Sequence, residues 1–223
     1  LNTYAEVAEI TAENPDVVII ATGGWPDTEV LETGNHLVVS SWDIISGHEI
    51  PGKNVLIFDD AGDHPGLQAA EVIAATGAKV EVMTPDRSFA PEVMAMNLVP
   101  YMRSLQDKDV TFTVTRRLMD VEKDGDELKA TIGTDYSDLR QTKNYDQVVI
   151  NHGTLPMEDL YFELKPLSTN LGAVNYDALI DGNGQNLDKN SDGAFQLFRI
   201  GDAVSARNTH AAIYDALRLV KDI

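Results

Sequence analysis

The stretch from Asn54 to Met83, NVLIFDDAGDHPGLQAAEVIAATGAKVEVM, decides the fold class. Residues 54–59 (NVLIFD) are apolar at consecutive positions rather than alternate ones, the pattern of a strand buried on both faces. After the turn DAGDHPG, the residues Leu67, Ala70, Ile73 and Ala74 share one helical face. Gly77 is a natural stop for that helix, and 79–83 (KVEVM) reads as the next strand. Strand, helix and strand within about 30 residues form a βαβ unit, so the two strands are parallel with a right-handed crossover.

Working outward, Asp16 to Gly24 (DVVIIATGG) is a second continuous apolar run ending in small residues, which reads as a buried strand and a turn. A helix is expected from Pro91 through Val93 to Leu105, with Pro100 kinking or breaking it. The texture then changes to short alternating stretches, Val110–Val114, Leu118–Glu122 and Leu128–Ile132, with a turn at Asp124–Gly125. That spacing predicts an antiparallel meander. Tyr145 to Asn151 is one further strand, running into His152–Gly153, and Ala194 to Ile200 is another, running into Gly201–Asp202. Residues Asp181 to Gly193, rich in Gly, Asn and Asp, read as the least structured stretch. In the closing helix, Thr209–Val220, the residues Ala212, Ile213, Ala216, Leu217 and Val220 make an apolar stripe that must pack on something.

Composition bounds the function. The 223 residues carry 36 acidic and 17 basic side chains, a formal charge of −19, which repels phosphate backbones and anionic lipid. Nucleic acid and membrane are therefore poor partners, no span is long enough to cross a bilayer, and the cytoplasm is the expected compartment. Without cysteine the chain itself holds no disulfide, zinc-thiolate site or cysteine-bound cluster. It opens on leucine, as a fragment or processed product would.

The turn after Phe58 is where a dinucleotide-binding fold carries GxGxxG, because glycines let the backbone approach a pyrophosphate at a helix N-terminus. Ala61, Asp63 and Gly66 fall on the three glycine positions, beside Gly62, and only the third is glycine. Asp63, flanked by Asp59 and Asp60, puts carboxylates where phosphates would sit, and nothing in the turn offsets the repulsion. Thr84 stands where an acid would hold a ribose hydroxyl, and Arg87 could take a 2′-phosphate. This is a degenerate NAD(P) turn, and a fold kept for architecture is the better reading. Two other turns hold up. Ala21–Thr22–Gly23–Gly24 lets the chain pass close beneath a nucleotide, and Gly201–Asp202–Ala203 offers a carboxylate to ribose or ribityl hydroxyls. Residues 188–193 (DKNSDG) imitate the start of a calcium loop, but Arg199 occupies the position of the bidentate glutamate, so a polar turn is expected and no metal site. The five histidines have no metal-ligand spacing. Trp25 and Trp42 are read as packing residues.

The segments ATGG (21–24), VLIFDDAGDHPGLQAAE (55–71), VVINHGTLP (148–156) and FRIGDAVSARNTHAAIYDALRL (198–219) resemble the C-terminal part of NADH:flavin oxidoreductases related to trimethylamine dehydrogenase, histamine dehydrogenase and 2,4-dienoyl-CoA reductase. The N-methylproline demethylase-like enzymes look nearest, and the resemblance covers essentially the whole chain. It implies an α/β architecture: a Rossmann-like parallel sheet with an antiparallel β-meander, the NAD(P)-like domain, inserted in a partial FAD-like domain. The implied boundaries are 1–49 for the first FAD/ADP segment, 50–153 for the insert and 154–223 for the return segment. It further implies FAD or ADP bound through 21–24 and 201–203, doubtful NAD(P)H binding, and an FMN-binding barrel with a 4Fe–4S cluster upstream in the same polypeptide, in a homodimer. No catalytic residue is expected within this chain. The alternatives are a redox-inactive structural nucleotide-binding domain, and an NAD(P)H-binding reductase domain that uses Arg87.

Overall fold

The computed structural model describes residues 3–221. In chain order its main elements begin with α1 (Val7–Ala12), β1 (Val17–Ile20), β2 (Gly24–Pro26), β3 (Val39–Ser40) and α2 (Ser41–Ser46). Then come β4 (Asn54–Asp59), α3 (His64–Ala75), β5 (Lys79–Met83), α4 (Ala95–Gln106), β6 (Thr111–Thr113), β7 (Arg117–Asp124), β8 (Glu127–Gly133) and β9 (Gln141–Tyr145). The chain closes with β10 (Gln147–Asn151), β11 (Thr154–Pro156), α5 (Asp159–Leu164), α6 (Tyr176–Asp181), β12 (Gln196–Arg199) and α7 (Thr209–Val220). Two compact units result: residues 26–153, and a smaller one formed by the segments before and after them.

The larger unit is built on a five-stranded parallel sheet in the order β3-β10-β4-β5-β6. The unbroken apolar runs follow from burial of both faces. Val55, Ile57, Val80, Val82 and Val149 pack with Ile44, Leu67, Ile73 and Leu105 on the helical side. Leu56, Phe58, Met83, Val148 and Ile150 pack with Leu118, Val121, Ala130 and Ile132 of the antiparallel sheet β7-β8-β9 on the other. The expected parallel sheet and antiparallel meander are both present.

Several local expectations change. Val110–Val114 is not part of the meander: β6 pairs parallel with β5, Val82 opposite Phe112, and so extends the main sheet. The single strand expected over Tyr145–Asn151 is two. The Asp146 carboxylate accepts the Lys53 and Asn54 amides at 3.0 and 2.8 Å and turns the chain, leaving Tyr145 in the meander and Gln147 in the parallel sheet. Helix α4 runs on through Pro100. Proline removes the bond to the Met96 carbonyl, and that residue is solvent-exposed, so water can serve the carbonyl instead. Residues 26–49, assigned from sequence to the first segment, pack within the larger unit, where Leu31 and Ile44 are buried and Val39 pairs with Val149.

The smaller unit has a two-stranded parallel sheet, β1-β12, over a core of Val18, Ile20, Tyr161, Leu164, Phe195 and Leu197, with Val7 and Ile10 of α1 against it. Buried Asn170 ties residues 168–173 to β12, donating to the Leu197 carbonyl and accepting its amide, both at 2.9 Å. No described helix is long and apolar enough to cross a membrane.

Candidate functional site

In the smaller unit, parallel register sets Ile20 opposite Arg199, and the Ile200 amide donates to the Ile20 carbonyl at 3.0 Å. The two turns singled out from sequence, 21–24 and 201–203, therefore leave adjacent strand ends of one sheet. Gly23 has φ +76° with nothing within 4 Å of where a Cβ would stand, which leaves the backbone open on that side. Gly24 is different: its Cβ would lie 2.5 Å from the Leu155 carbonyl oxygen, so its need for glycine comes from β2 pairing with β11. Thr22 also faces protein, its hydroxyl donating to the Met157 carbonyl. Ala21 is exposed.

Gly201 is buried at φ +60°, its amide donating to Asp215 Oδ2 of α7 at 3.2 Å, and Ala203 is fully buried beside it. Asp202 is half-buried. Its Oδ1 accepts the Arg207 amide at 3.4 Å, a long contact that leaves acceptor capacity for another donor. The Arg207 guanidinium is held by Asp215. Asn208 caps α7, accepting the Ala211 amide at 2.9 Å, so the helix starts immediately beyond this turn.

In the larger unit, Ala61, Gly62, Asp63 and Gly66 follow β4, and Arg87 is exposed beyond β5. Buried Thr84 accepts the Asp86 amide at 3.2 Å. The carboxylates of this turn are hydrogen-bonded, and their partners come from far along the chain. The Asn151 side-chain amide donates to both Asp59 Oδ1 and Asp63 Oδ1 at 2.8 Å, while its Oδ1 accepts the Ser41 hydroxyl at 2.9 Å. His152 Nδ1 lies 2.7 Å from Asp60 Oδ1, and Arg117 3.7 Å from Asp60 Oδ2. Asp59 is 2% exposed. Burial pushes its carboxyl up to about 6, against the lowering by Asn151 and Gly62 and with a further rise from the charges of Asp63 and Asp60. Sequence reasoning missed Asn151 and Ser41. The one local signal was a polar Asn ending the apolar run VVIN.

Residues 188–193 form a turn in which the Asn190 side-chain amide donates to the Pro166 and Ser168 carbonyls, and Arg199 lies in β12. Among the described residues no group of three or more His, Asp or Glu side chains is placed to hold a metal ion.

No family model matches the chain. Over its full length it is 68% identical to the probable N-methylproline demethylase of Rhizobium meliloti (strain 1021), covering 33% of that protein. It is 43% identical to the N,N-dimethylglycine/sarcosine dehydrogenase of Chromohalobacter salexigens, again across the whole chain and 34% of the relative. The chain is homologous to these two proteins, named as a demethylase and a dehydrogenase. It spans about a third of the length of these curated relatives. A solved 2-naphthoyl-CoA reductase superposes on 100% of the chain and 29% of its own, at a TM-score of 0.76 and 25% identity. Histamine dehydrogenase from Rhizobium sp. 4-9 shares the fold, with a TM-score of 0.75 over 97% of the chain and 32% of its own, at 19% identity. The demethylase and dehydrogenase homology bears out the family resemblance carried by ATGG, VVINHGTLP and the GD turn.

Proposed function

We propose that this chain is the C-terminal nucleotide-binding portion of a flavin-dependent amine demethylase or dehydrogenase, and that its smaller unit binds FAD or ADP. One observation carries the reading: the pairing of β1 with β12 brings 21–24 and 201–203, from opposite ends of the sequence, to one strand-end edge with α7 starting beside it. Carboxyl ends of parallel strands followed by a helix N-terminus are where α/β sheets hold nucleotides. Gly23 would let the backbone approach the nucleotide, and Asp202 would accept from its ribose or ribityl hydroxyls. A bound flavin dinucleotide would supply electron transfer, and ADP would supply none. This chain's residues bind and orient, and none is assigned proton transfer.

The rest of the reading follows the family resemblance carried by the sequence. Amine oxidation belongs to an FMN- and 4Fe–4S-bearing barrel upstream in the same polypeptide, and the intact protein is a cytoplasmic homodimer. The exposed stripe of α7, with Ile213 and Leu217 both more than 60% accessible, supports a domain whose missing part covers that face.

Mass spectrometry of nucleotide released by denaturing the intact polypeptide tests the proposal. One FAD or ADP per chain is expected, and Asp202→Ala should weaken retention about tenfold or more, the loss of a hydrogen bond to a charged acceptor. Release of no adenine nucleotide overturns the reading.

A further inference from the structure

The sheet order β3-β10-β4-β5-β6 reverses its direction of growth between β4 and β10. The crevice at the carboxyl ends of those two strands is where an open α/β sheet takes its ligand. A dinucleotide needs two things there: free backbone amides in the turn after β4, and open space against the first turn of the following helix. Here both are taken by the chain itself. Asp60 N and Ala61 N each donate to the Asn151 carbonyl at 3.2 Å, and Gly62 N donates to Asp59 Oδ1 at 2.9 Å. Three consecutive donors of the turn are thus engaged. Asp59 Oδ2 reaches under the helix, 2.5 Å from where a Cβ on Gly66 would stand. From the other side Pro91 covers the turn, its Cδ 2.6 Å from the Cβ position of Gly62, and Glu92 N donates to the Gly62 carbonyl at 3.0 Å.

We propose that Asp59, held by Asn151, is a resident anion in the place of a pyrophosphate, and that it makes the larger unit reject NADH and NADPH. The fold there keeps a pyridine-nucleotide architecture while the Asn151 carbonyl takes two of the donors, and the Asp59 carboxylate takes the third and fills the space under the helix. Asp60 and Asp63 add negative charge on the same side, and their partners His152, Arg117 and Asn151 fix them in position. Sequence degeneracy at Ala61 and Asp63 alone would weaken binding. The network closes the site by occupying it. This inference concerns the larger unit and stands apart from the FAD or ADP reading of the smaller one, whose test is nucleotide release.

Equilibrium dialysis of NADH and NADPH against the intact polypeptide tests it. The unsubstituted protein should show no saturable binding up to about 1 mM, near the weakest range a specific site reaches. Asp59→Ala removes both the charge and the side chain that fills the space beside Gly66 and engages Gly62 N, and A61G and D63G added to it restore the glycine pattern. The triple variant should bind at least one of the two nucleotides about tenfold or more tighter than its parent, as removal of carboxylates beside a diphosphate implies. Circular dichroism and a cooperative thermal transition establish that each variant is folded, and if the triple variant is not, Asp59→Ala alone must show the gain. Saturable sub-millimolar binding by the unsubstituted protein overturns the proposal. So does a folded variant that binds no better than its parent.

Discussion

Asp59 ends a buried strand with a carboxyl group pushed up to about 6, and the sign of its effect on stability follows from that. Between about pH 3.8, the ordinary value, and 6 the folded state holds a proton that the unfolded chain has lost, so stability falls as pH rises through this window. Above it the full burden of the buried charge is present, about 3 kcal/mol for a shift of this size. Asp59→Asn should therefore raise stability at pH 8 by up to about that amount and flatten the difference from the parent below pH 4, as read by denaturant unfolding across pH. Gly24 makes a second prediction at this scale. A methyl group there meets the Leu155 carbonyl and Thr154 Cγ2, both at 2.5 Å, so Gly24→Ala should destabilise by about 1–3 kcal/mol in thermal unfolding. At Gly47, where φ is +77° but no atom lies within 4 Å, alanine should cost only about 1 kcal/mol of backbone strain.

Glu81 of β5 joins elements that lie on two sheets. Its carboxylate accepts from Thr113 of β6 at 2.7 Å, from Tyr145 at 2.8 Å and from Lys143 of β9 at 3.0 Å. Burial raises its pKa, but these three donors outweigh burial and hold it below the usual glutamate value. Its stabilising share is present above the unfolded pKa and is lost as pH falls through the depressed one. Glu81→Ala leaves the Tyr145 hydroxyl without its acceptor and should lower stability by about 1–3 kcal/mol at pH 7, with a smaller deficit near pH 3. Strand β4, strand β5 and helix α7 were legible in the sequence because burial on both faces, or a long apolar stripe, leaves a periodic record. Strand β6 was legible over Val110–Val114 but its pairing was not, since three residues at a sheet edge carry no record of which neighbour they pair with. The split at Asp146 depends on amides of Lys53 and Asn54, some 92 residues away, and no local pattern encodes it. The same distance hid the candidate site. Ala61, Asp63 and Gly66 could be placed on the turn from spacing alone, whereas the Asn151 and Ser41 that organise it come from other strands and helices.

At the scale of the molecule, the face of α7 bearing Ile213, Leu217 and Val220 is more than half exposed at each of the three residues. An apolar stripe of this length on a helix is ordinarily covered. Replacing both Ile213 and Leu217 by Lys should lower the melting temperature of the intact polypeptide by several degrees, as burial of a charge implies, whereas a solvated face would give almost no change. Strand β10 carries a different consequence. It is the last strand of the larger unit to be made, yet it lies in the interior of the parallel sheet, between β3 and β4. Until residues 147–151 leave the ribosome, β4 has one unpaired edge, the meander lacks Val148 and Ile150 from the surface it packs on, and Asp59 lacks its Asn151 partner. Completion of this unit accordingly waits on long-range pairing made by its last strand, the kind of contact that is formed late because loop closure must come first.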